Sequence, residues 1–268
     1  MTVCIAAKAM TPQGVVLILC TDMMGSTDSS SAETTYKIHM HSGNFCGLIA
    51  GQVASARELV SACLVELDAP PAISKFSEVL TRVRAGIANY KNAFADSHVQ
   101  SRFGISYLEF RKSGRSAFPA DVFREVSWEI KNHYSQAELA IAGFIDKAPM
   151  IVKVAGDTAW ECDDFAVIGS GTAIGESSLF HREHNHHYGL DQSIYHVYEA
   201  KRLAEKAPSV GKKTMLFVVG PGGDMQTLRP SGFKILDEYF QRLSPRPVAV
   251  KEDISSSLYS VQRQRYQG

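Results

Sequence analysis

The most regular hydrophobic pattern in the chain is carried by Ile73, Phe76, Leu80, Val83, Ile87, Tyr90 and Phe94. Their spacings of 3, 4, 3, 4, 3 and 4 residues trace one face of a long amphipathic helix. A different pattern precedes it. Residues 2–7 and 14–20 are two apolar runs separated by MTPQG, in which Pro12 and Gly14 mark a turn, so they read as a hairpin. The second run, GVVLILC, has no polar alternation and therefore reads as a strand covered on both faces. A Ser/Thr-rich stretch from Gly25 to Thr35 follows, then a strand pair, Tyr36–Met40 and Phe45–Ala50, around the turn HSGN. Gly51 ends that pair, and a helix is expected over 53–67.

Beyond the long helix, residues 96–136 hold a possible strand at Ile105–Arg111, a loop marked by Gly and Pro, and a short helix from about Ala120 to His133. Strands resume at Glu138–Ile145, Met150–Val154 and Phe165–Ile168, the last leading through Gly169-Ser170-Gly171 into a helix. Gln192–Lys206 reads as a helix, Thr214–Val219 as a strand, GPGG at 220–223 as a hairpin turn, and Phe233–Leu243 as a final helix. No internal repeat is present. Segregated strand and helix blocks argue for α+β layers rather than a βαβ wind. Strands buried on both faces require two stacked sheets with helices outside, which predicts a four-layer αββα sandwich of two antiparallel sheets. Residues 1–243 read as a single domain. Residues 244–268 are polar, contain Pro245 and Pro247, and read as a tail.

Composition narrows the function classes. Lys+Arg and Asp+Glu both number 28 in the 268 residues, so no net charge favours nucleic acid or an anionic membrane. No apolar run approaches the roughly 20 residues of a membrane span, and Lys8 interrupts any leader-like segment early. Cys4, Cys20, Cys46, Cys63 and Cys162 are scattered without C-x-x-C spacing. They read as buried thiols in a reducing, cytoplasmic setting rather than a disulfide frame or zinc site. In HREHNHHYG, His181 and His184 stand three apart and would share a helix face. No Cys or E-x-x-H pairing completes a metal site there, so a solvated helix end or a subunit contact, charging at mildly acidic pH, is the expectation.

The candidate chemistry lies at the start of the chain. A threonine hydroxyl is a weak nucleophile and needs a neighbouring base. When threonine is the first residue, its own α-amino group, with a pKa of about 7.7–8.0, can serve. Thr2 becomes such a residue once Met1 is removed, a routine step before a small side chain. Asp22 follows the buried strand, Lys37 opens the next, and Gly51 closes the GLIAG strand. Taken singly, Asp22 and Lys37 read as a surface ion pair of little weight. Their joint spacing with Thr2 and Gly51 turns the balance toward a site, with Lys8 as a rival cation.

The chain resembles the proteasome β-type subunits and their bacterial relatives, threonine peptidases of the N-terminal-nucleophile hydrolase superfamily. The resemblance rests on TVCIAA, GVVLILCTD, YKIHMHSGNFCGLIAGQVASARELV, LAIAGFIDKAPMIVKVA and DDFAVIGSG, spanning about residues 2–68 and 138–220. The Lys37-to-Gly51 distance of 14 residues fits it as well. The resemblance implies that Thr2 is the nucleophile, Lys37 the cation beside it, and Asp22 the partner that keeps Lys37 charged. It makes the Gly51 N–H the oxyanion donor, sets Ser170 by the amine, and places Ile49 at an apolar subsite for the residue before the cleaved bond. One element departs from the family: its acid–x–x–Ser–Gly pattern meets EKAPSVGKK here, where Ser209 and Gly211 align loosely but Lys206 or Ala207 stands at the acid position. The implied activity is peptide-bond hydrolysis of peptides or unfolded chains inside a homo-oligomeric ring, without metal or cofactor and with any ATPase partner unspecified. The alternatives are an amide hydrolase acting on small substrates and a structural ring subunit with little or no turnover.

Overall fold

The computed structural model describes residues 2–26, 31–40, 44–133, 135–208 and 210–245. Strands β1 (Cys4–Thr11), β2 (Gly14–Asp22), β3 (Met24–Ser26), β4 (Ser31–Glu33), β5 (Ile38–Met40) and β6 (Phe45–Gly51) open the chain. Helices α1 (Val53–Asp68), α2 (Phe76–Phe103), α3 (Tyr107–Ala117) and α4 (Ala120–Lys131) follow. Then come β7 (Ala137–Ile145), β8 (Ala148–Ala155), β9 (Thr158–Cys162), β10 (Phe165–Ile168), α5 (Thr172–His181) and α6 (Leu190–Ala204). The last elements are β11 (Thr214–Val219), β12 (Met225–Thr227) and α7 (Pro230–Leu243). The fold is mixed α+β, with antiparallel five-stranded sheets in the orders β10-β1-β2-β11-β12 and β5-β6-β7-β8-β9, and a small β3-β4 ribbon.

The uninterrupted apolar strands serve two cores at once. In β2, Leu17 and Leu19 meet Cys4 and Ala6 of β1 together with Leu48 and Ala50 of β6 and Ala140 and Ala142 of β7, so this cluster joins the two sheets. The alternate residues Val16, Ile18 and Cys20 pack with Leu179 of α5 and with Val197, Ala200 and Ala204 of α6. The other sheet behaves likewise, with Ile49, Leu139, Ile141 and Val152 packed against Leu59 and Cys63 of α1 and Val79, Val83 and Ile87 of α2. Each fully buried aliphatic side chain contributes about 1.5–3 kcal/mol relative to exposure, so a polar replacement on either face of β2 is costly.

Several expectations need correction. The segment Ile105–Arg111 is not a strand. Tyr107–Ala117 is helical, capped by Ser106, whose hydroxyl accepts from the Glu109 N–H at 3.2 Å. Its side chains explain why: Phe110, with Val99 of α2 and Val126 of α4, forms a separate aromatic cluster that includes Phe103, Phe118 and Phe123. Four helices, not three, therefore stand between β6 and β7. The long helix begins at Phe76 rather than Ile73, where the Glu78 carboxylate accepts from the Ser74 N–H, and continues to Phe103. Strands β3, β4, β9 and β12, which the sequence pattern did not single out, are three to five residues long. The tail expected from 244 lies, from residue 246, outside the described residues.

The His-rich segment also differs from expectation. Helix α5 ends at His181, and Glu183 takes a left-handed turn with φ of 51°, so His181 and His184 do not share a helix face. His184 is buried, its Nδ1 3.3 Å from Nδ1 of His196 on α6, while His186 contacts the Asp164 carboxylate at 2.6 Å. Burial, helped by repulsion from His196, lowers the pKa of His184 to about 4, so it stays neutral at mildly acidic pH instead of charging. Burial lowers His196 as well.

This gives a pH dependence of stability. The unfolded chain protonates His184 below its ordinary value of 6.5, the folded chain only below about 4. The contribution is complete above pH 6.5 and is lost as pH falls from there toward 4, by up to about 3 kcal/mol. Urea unfolding across that window is expected to show a shallower acid-side loss for His184→Leu than for the wild type.

Candidate functional site

The hairpin register assembles the site. Cys4 pairs with Thr21 and Thr11 with Gly14, so Val3 falls opposite Asp22. The Asp22 N–H donates to the Val3 carbonyl at 3.2 Å, and the Val3 N–H donates to Asp22 Oδ1 at 3.0 Å. Thr2, one residue earlier, is thereby held against the Asp22 carboxylate, and its Oγ1 donates to Oδ1. Lys37 arrives from the other sheet, just ahead of β5, where its carbonyl accepts from the Ile49 N–H at 3.0 Å. Its Nζ donates to Thr2 Oγ1 and, at 2.8 Å, to Asp22 Oδ1. Relative exposures of 3% for Thr2, 0% for Asp22 and 4% for Lys37 make this a desolvated triangle rather than a surface ion pair.

Removing two charges from water costs several kcal/mol per ion unless the remaining lone pairs are satisfied. Here they are. Asp22 Oδ1 accepts from Thr2, Val3 and Lys37, while Oδ2 accepts from the Met24 N–H at 3.0 Å and the Gly211 N–H at 2.9 Å. Gly211 comes from the segment ahead of β11, which Glu33 and Lys201 hold in place. The Glu33 carboxylate accepts from the Lys213 N–H at 2.9 Å, and buried Lys201 donates to the Lys212 carbonyl at 2.8 Å. Ser209, expected near the amine, lies outside the described residues. Glu205, the acid nearest to it before that point, is paired with Lys201 at 2.6 Å.

The backbone of Thr2 is clamped from a third direction. Its nitrogen donates to Ser170 Oγ at 3.2 Å, and its carbonyl accepts from Ser170 Oγ at 3.3 Å and from the Gly171 N–H at 3.2 Å. Gly169 makes this approach possible. It has φ of 94°, and a Cβ there would collide with the Thr2 carbonyl. Gly51 is equally constrained at the end of β6, with φ of 96° and the Gln136 carbonyl where a Cβ would be. The end of β6 lies beside the start of β1, since Cys4 Sγ donates to the Ile49 carbonyl at 3.4 Å. The Ile49 side chain itself packs in the cluster under α1 and α2.

Neither the neighbouring thiol of Cys4 nor the rival cation Lys8 takes part at Thr2. Burial pushes the thiol of Cys4 far above its ordinary pKa, so it remains protonated. Lys8 sits further along β1, where its N–H donates to the Asp164 carbonyl at 2.9 Å, and Lys37 takes the position at Thr2. The contact of Gly211 with Asp22 and the participation of Glu138 were not anticipated. Gly211 reaches Asp22 only through its backbone, which no side-chain pattern reveals. Glu138 accepts from the Gly169 N–H at 2.6 Å. Its signal was legible, as the sole charged residue of AELAIAGFI. Among the described residues no group of His, Cys, Asp and Glu could hold a metal ion, and no helix is long and apolar enough to cross a membrane.

No family model matches the chain, and no curated protein does. Solved structures are similar to it. Anbu (ancestral beta-subunit) from Yersinia bercovieri aligns with a TM-score of 0.61 at 13% identity, over 97% of this chain and 99% of that one. The fold is Anbu-like. An Anbu (Gly-1) mutant from Hyphomicrobium sp. strain MC1 aligns with a TM-score of 0.60, also at 13% identity, over 90% of this chain and 95% of that one. The Anbu likeness spans nearly the full length of both chains.

The donor set around Asp22 makes a stability prediction. Asp22→Ala strands a buried ammonium and is expected to cost about 3–5 kcal/mol. Lys37→Met leaves the carboxylate with its Val3, Met24 and Gly211 N–H donors, and is expected to cost less, about 1–3 kcal/mol. Guanidinium unfolding of the two variants gives the order directly.

Proposed function

We propose that the chain is a threonine-type peptidase of the proteasome-like class, with the four-layer αββα arrangement of the N-terminal-nucleophile hydrolases over residues 1–243. The observation that carries the proposal is the buried contact of Lys37 Nζ with both Thr2 Oγ1 and Asp22 Oδ1. Cleavage of the bond before Thr2 converts its nitrogen from an amide to an amine, already within 3.2 Å of Ser170 Oγ. That amine takes the proton of the Thr2 hydroxyl, directly or through a water. The positive charge of Lys37 favours both a neutral amine and a more acidic hydroxyl. Oγ1 then adds to the peptide carbonyl, and the oxyanion is received by the Gly51 N–H, a donor of a kind worth about 2.7–4 kcal/mol. Collapse passes the proton to the departing amine and leaves an ester on Thr2. Water, deprotonated by the Thr2 amine, releases the second product and restores the hydroxyl.

Ile49, whose N–H donates to the Lys37 carbonyl and whose side chain packs under α1 and α2, is proposed to back an apolar subsite for the residue before the scissile bond. The likeness to Anbu, an ancestral beta-subunit, supports assembly into a homo-oligomeric ring that admits peptides or unfolded chains. A ring subunit with little turnover is favoured by one observation, the engagement of Glu205 with Lys201, which leaves that acid unavailable to the Thr2 amine.

The two readings part in one experiment. The peptidase reading expects a mature mass beginning at Thr2, a covalent adduct on Thr2 with a leucine-ended peptide vinyl sulfone, and hydrolysis of a fluorogenic leucyl peptide. Thr2→Ala abolishes hydrolysis, and Lys37→Met lowers kcat by at least about 100-fold. A mature protein that retains a residue before Thr2, or hydrolysis unchanged in Thr2→Ala, sinks the proposal. Native mass spectrometry is expected to show a closed oligomer rather than a monomer.

A further inference from the structure

Strand β7 is apolar except at one position. Glu138 stands opposite Ala50 in the β6–β7 ladder and on the same side of the strand as Ala140 and Ala142, which pack between the sheets. A carboxylate at the rim of that apolar layer needs a partner, because an unpaired charge there loses hydration without compensation. The partner is in the opposite sheet. Glu138 Oε2 accepts from the Gly169 N–H at 2.6 Å, a short charge-assisted bond across the gap between the sheets. Gly169 is the residue whose left-handed φ of 94° brings the turn against the Thr2 carbonyl. Next in the chain, Ser170 Oγ accepts from the Thr2 nitrogen at 3.2 Å.

The geometry points to Glu138 as a positioning residue for the Thr2 amine, acting through the Gly169–Ser170 turn. It rests on the reading of Thr2 as the nucleophile. The ends of β6 and β10 approach from different sheets, and Glu138 ties the strand beside Gly51 to the turn that carries Ser170. One carboxylate therefore fixes the distance between the oxyanion donor and the group that orients the base. Neither Glu138 nor its hydrogen bond touches the substrate, so the effect is on the placement of the reacting atoms and not on binding. Displacements of about 1 Å at reacting atoms cost about 100-fold in rate, and removal of outer hydrogen bonds that orient a catalytic group costs about 10–100-fold.

Three chains are compared with a leucine-ended peptide vinyl sulfone and with a fluorogenic leucyl peptide. These are the wild type, Glu138→Ala and Glu138→Gln, each checked for folding by its thermal midpoint. The expected result is Thr2 labelling at least about tenfold slower in E138A, a matching fall in kcat, and a KM within about twofold of wild type. E138Q keeps an acceptor for the Gly169 N–H and is expected to recover most of the loss. If E138A does not fold, Glu138→Asp, one methylene shorter, replaces it with the same expected order. Labelling of E138A or E138D at the wild-type rate overturns the role of Glu138 alone, as does E138Q that is no faster than E138A or E138D. A folded wild type whose Thr2 takes no label overturns this role together with the peptidase reading.

Discussion

A cation and an anion taken out of water together impose the strictest requirement on this molecule. Lys37 and Asp22 are 4% and 0% exposed and 2.8 Å apart. Their attraction alone does not offset the loss of hydration. The balance is made up by donors that converge on Asp22 from its own hairpin, from the start of β3 and from the segment ahead of β11. The carboxylate thus organises chain that is distant in sequence, and every segment that meets it is held by further polar contacts of its own. Glu33 and Lys201, neither near Thr2 in sequence, take part in the site by fixing the backbone that carries Gly211.

That requirement explains why the two sheets have to stack. Thr2 and Asp22 belong to one sheet and Lys37 to the edge of the other, so the triangle exists only when the layers are in register. The inter-sheet face is correspondingly lined with small residues, Ala6, Ala50, Ala140 and Ala142, which permit close approach. The same face ends in polar groups where the layer opens, at Thr2 on one side and Glu138 on the other. A change of volume in the alanine layer would therefore reach the triangle by shifting one sheet against the other.

The sequence made some of this legible and hid the rest for identifiable reasons. The hairpin could be read because a tight turn at Pro12-Gln13 fixes which residues pair, and counting back from it puts Val3 opposite Asp22. The unbroken run GVVLILC announced burial on both faces, and alternate residues of β2 do enter different clusters. ISYLEF misled because its apolar residues, Ile105, Tyr107, Leu108 and Phe110, fit a short strand as readily as a helix. Its helical partners, Phe103, Phe118 and Phe123, lie elsewhere in the chain, and only their packing decides the matter. The strands β3, β4 and β12 are three residues long, too short for periodicity to register. Gly211 reaches Asp22 through an N–H that every residue but proline owns, so its identity carries no message.

Backbone groups supply much of the site, and this bears on how so divergent a sequence keeps the fold. Thr2 is gripped through its own nitrogen and carbonyl by a turn in which Gly169 and Gly171 leave room for main chain against main chain. Asp22 takes three of its hydrogen bonds from peptide N–H groups. Such contacts depend on the path of the chain, and most side chains along that path can vary while it is preserved. The positions most constrained by this geometry are few: a buried ion pair, and glycines whose left-handed backbone excludes a Cβ. At 13% identity the Anbu structures still follow this chain over nearly its whole length. That agreement is what a site built mainly from strand ends and turns would allow, provided the two sheets keep their distance.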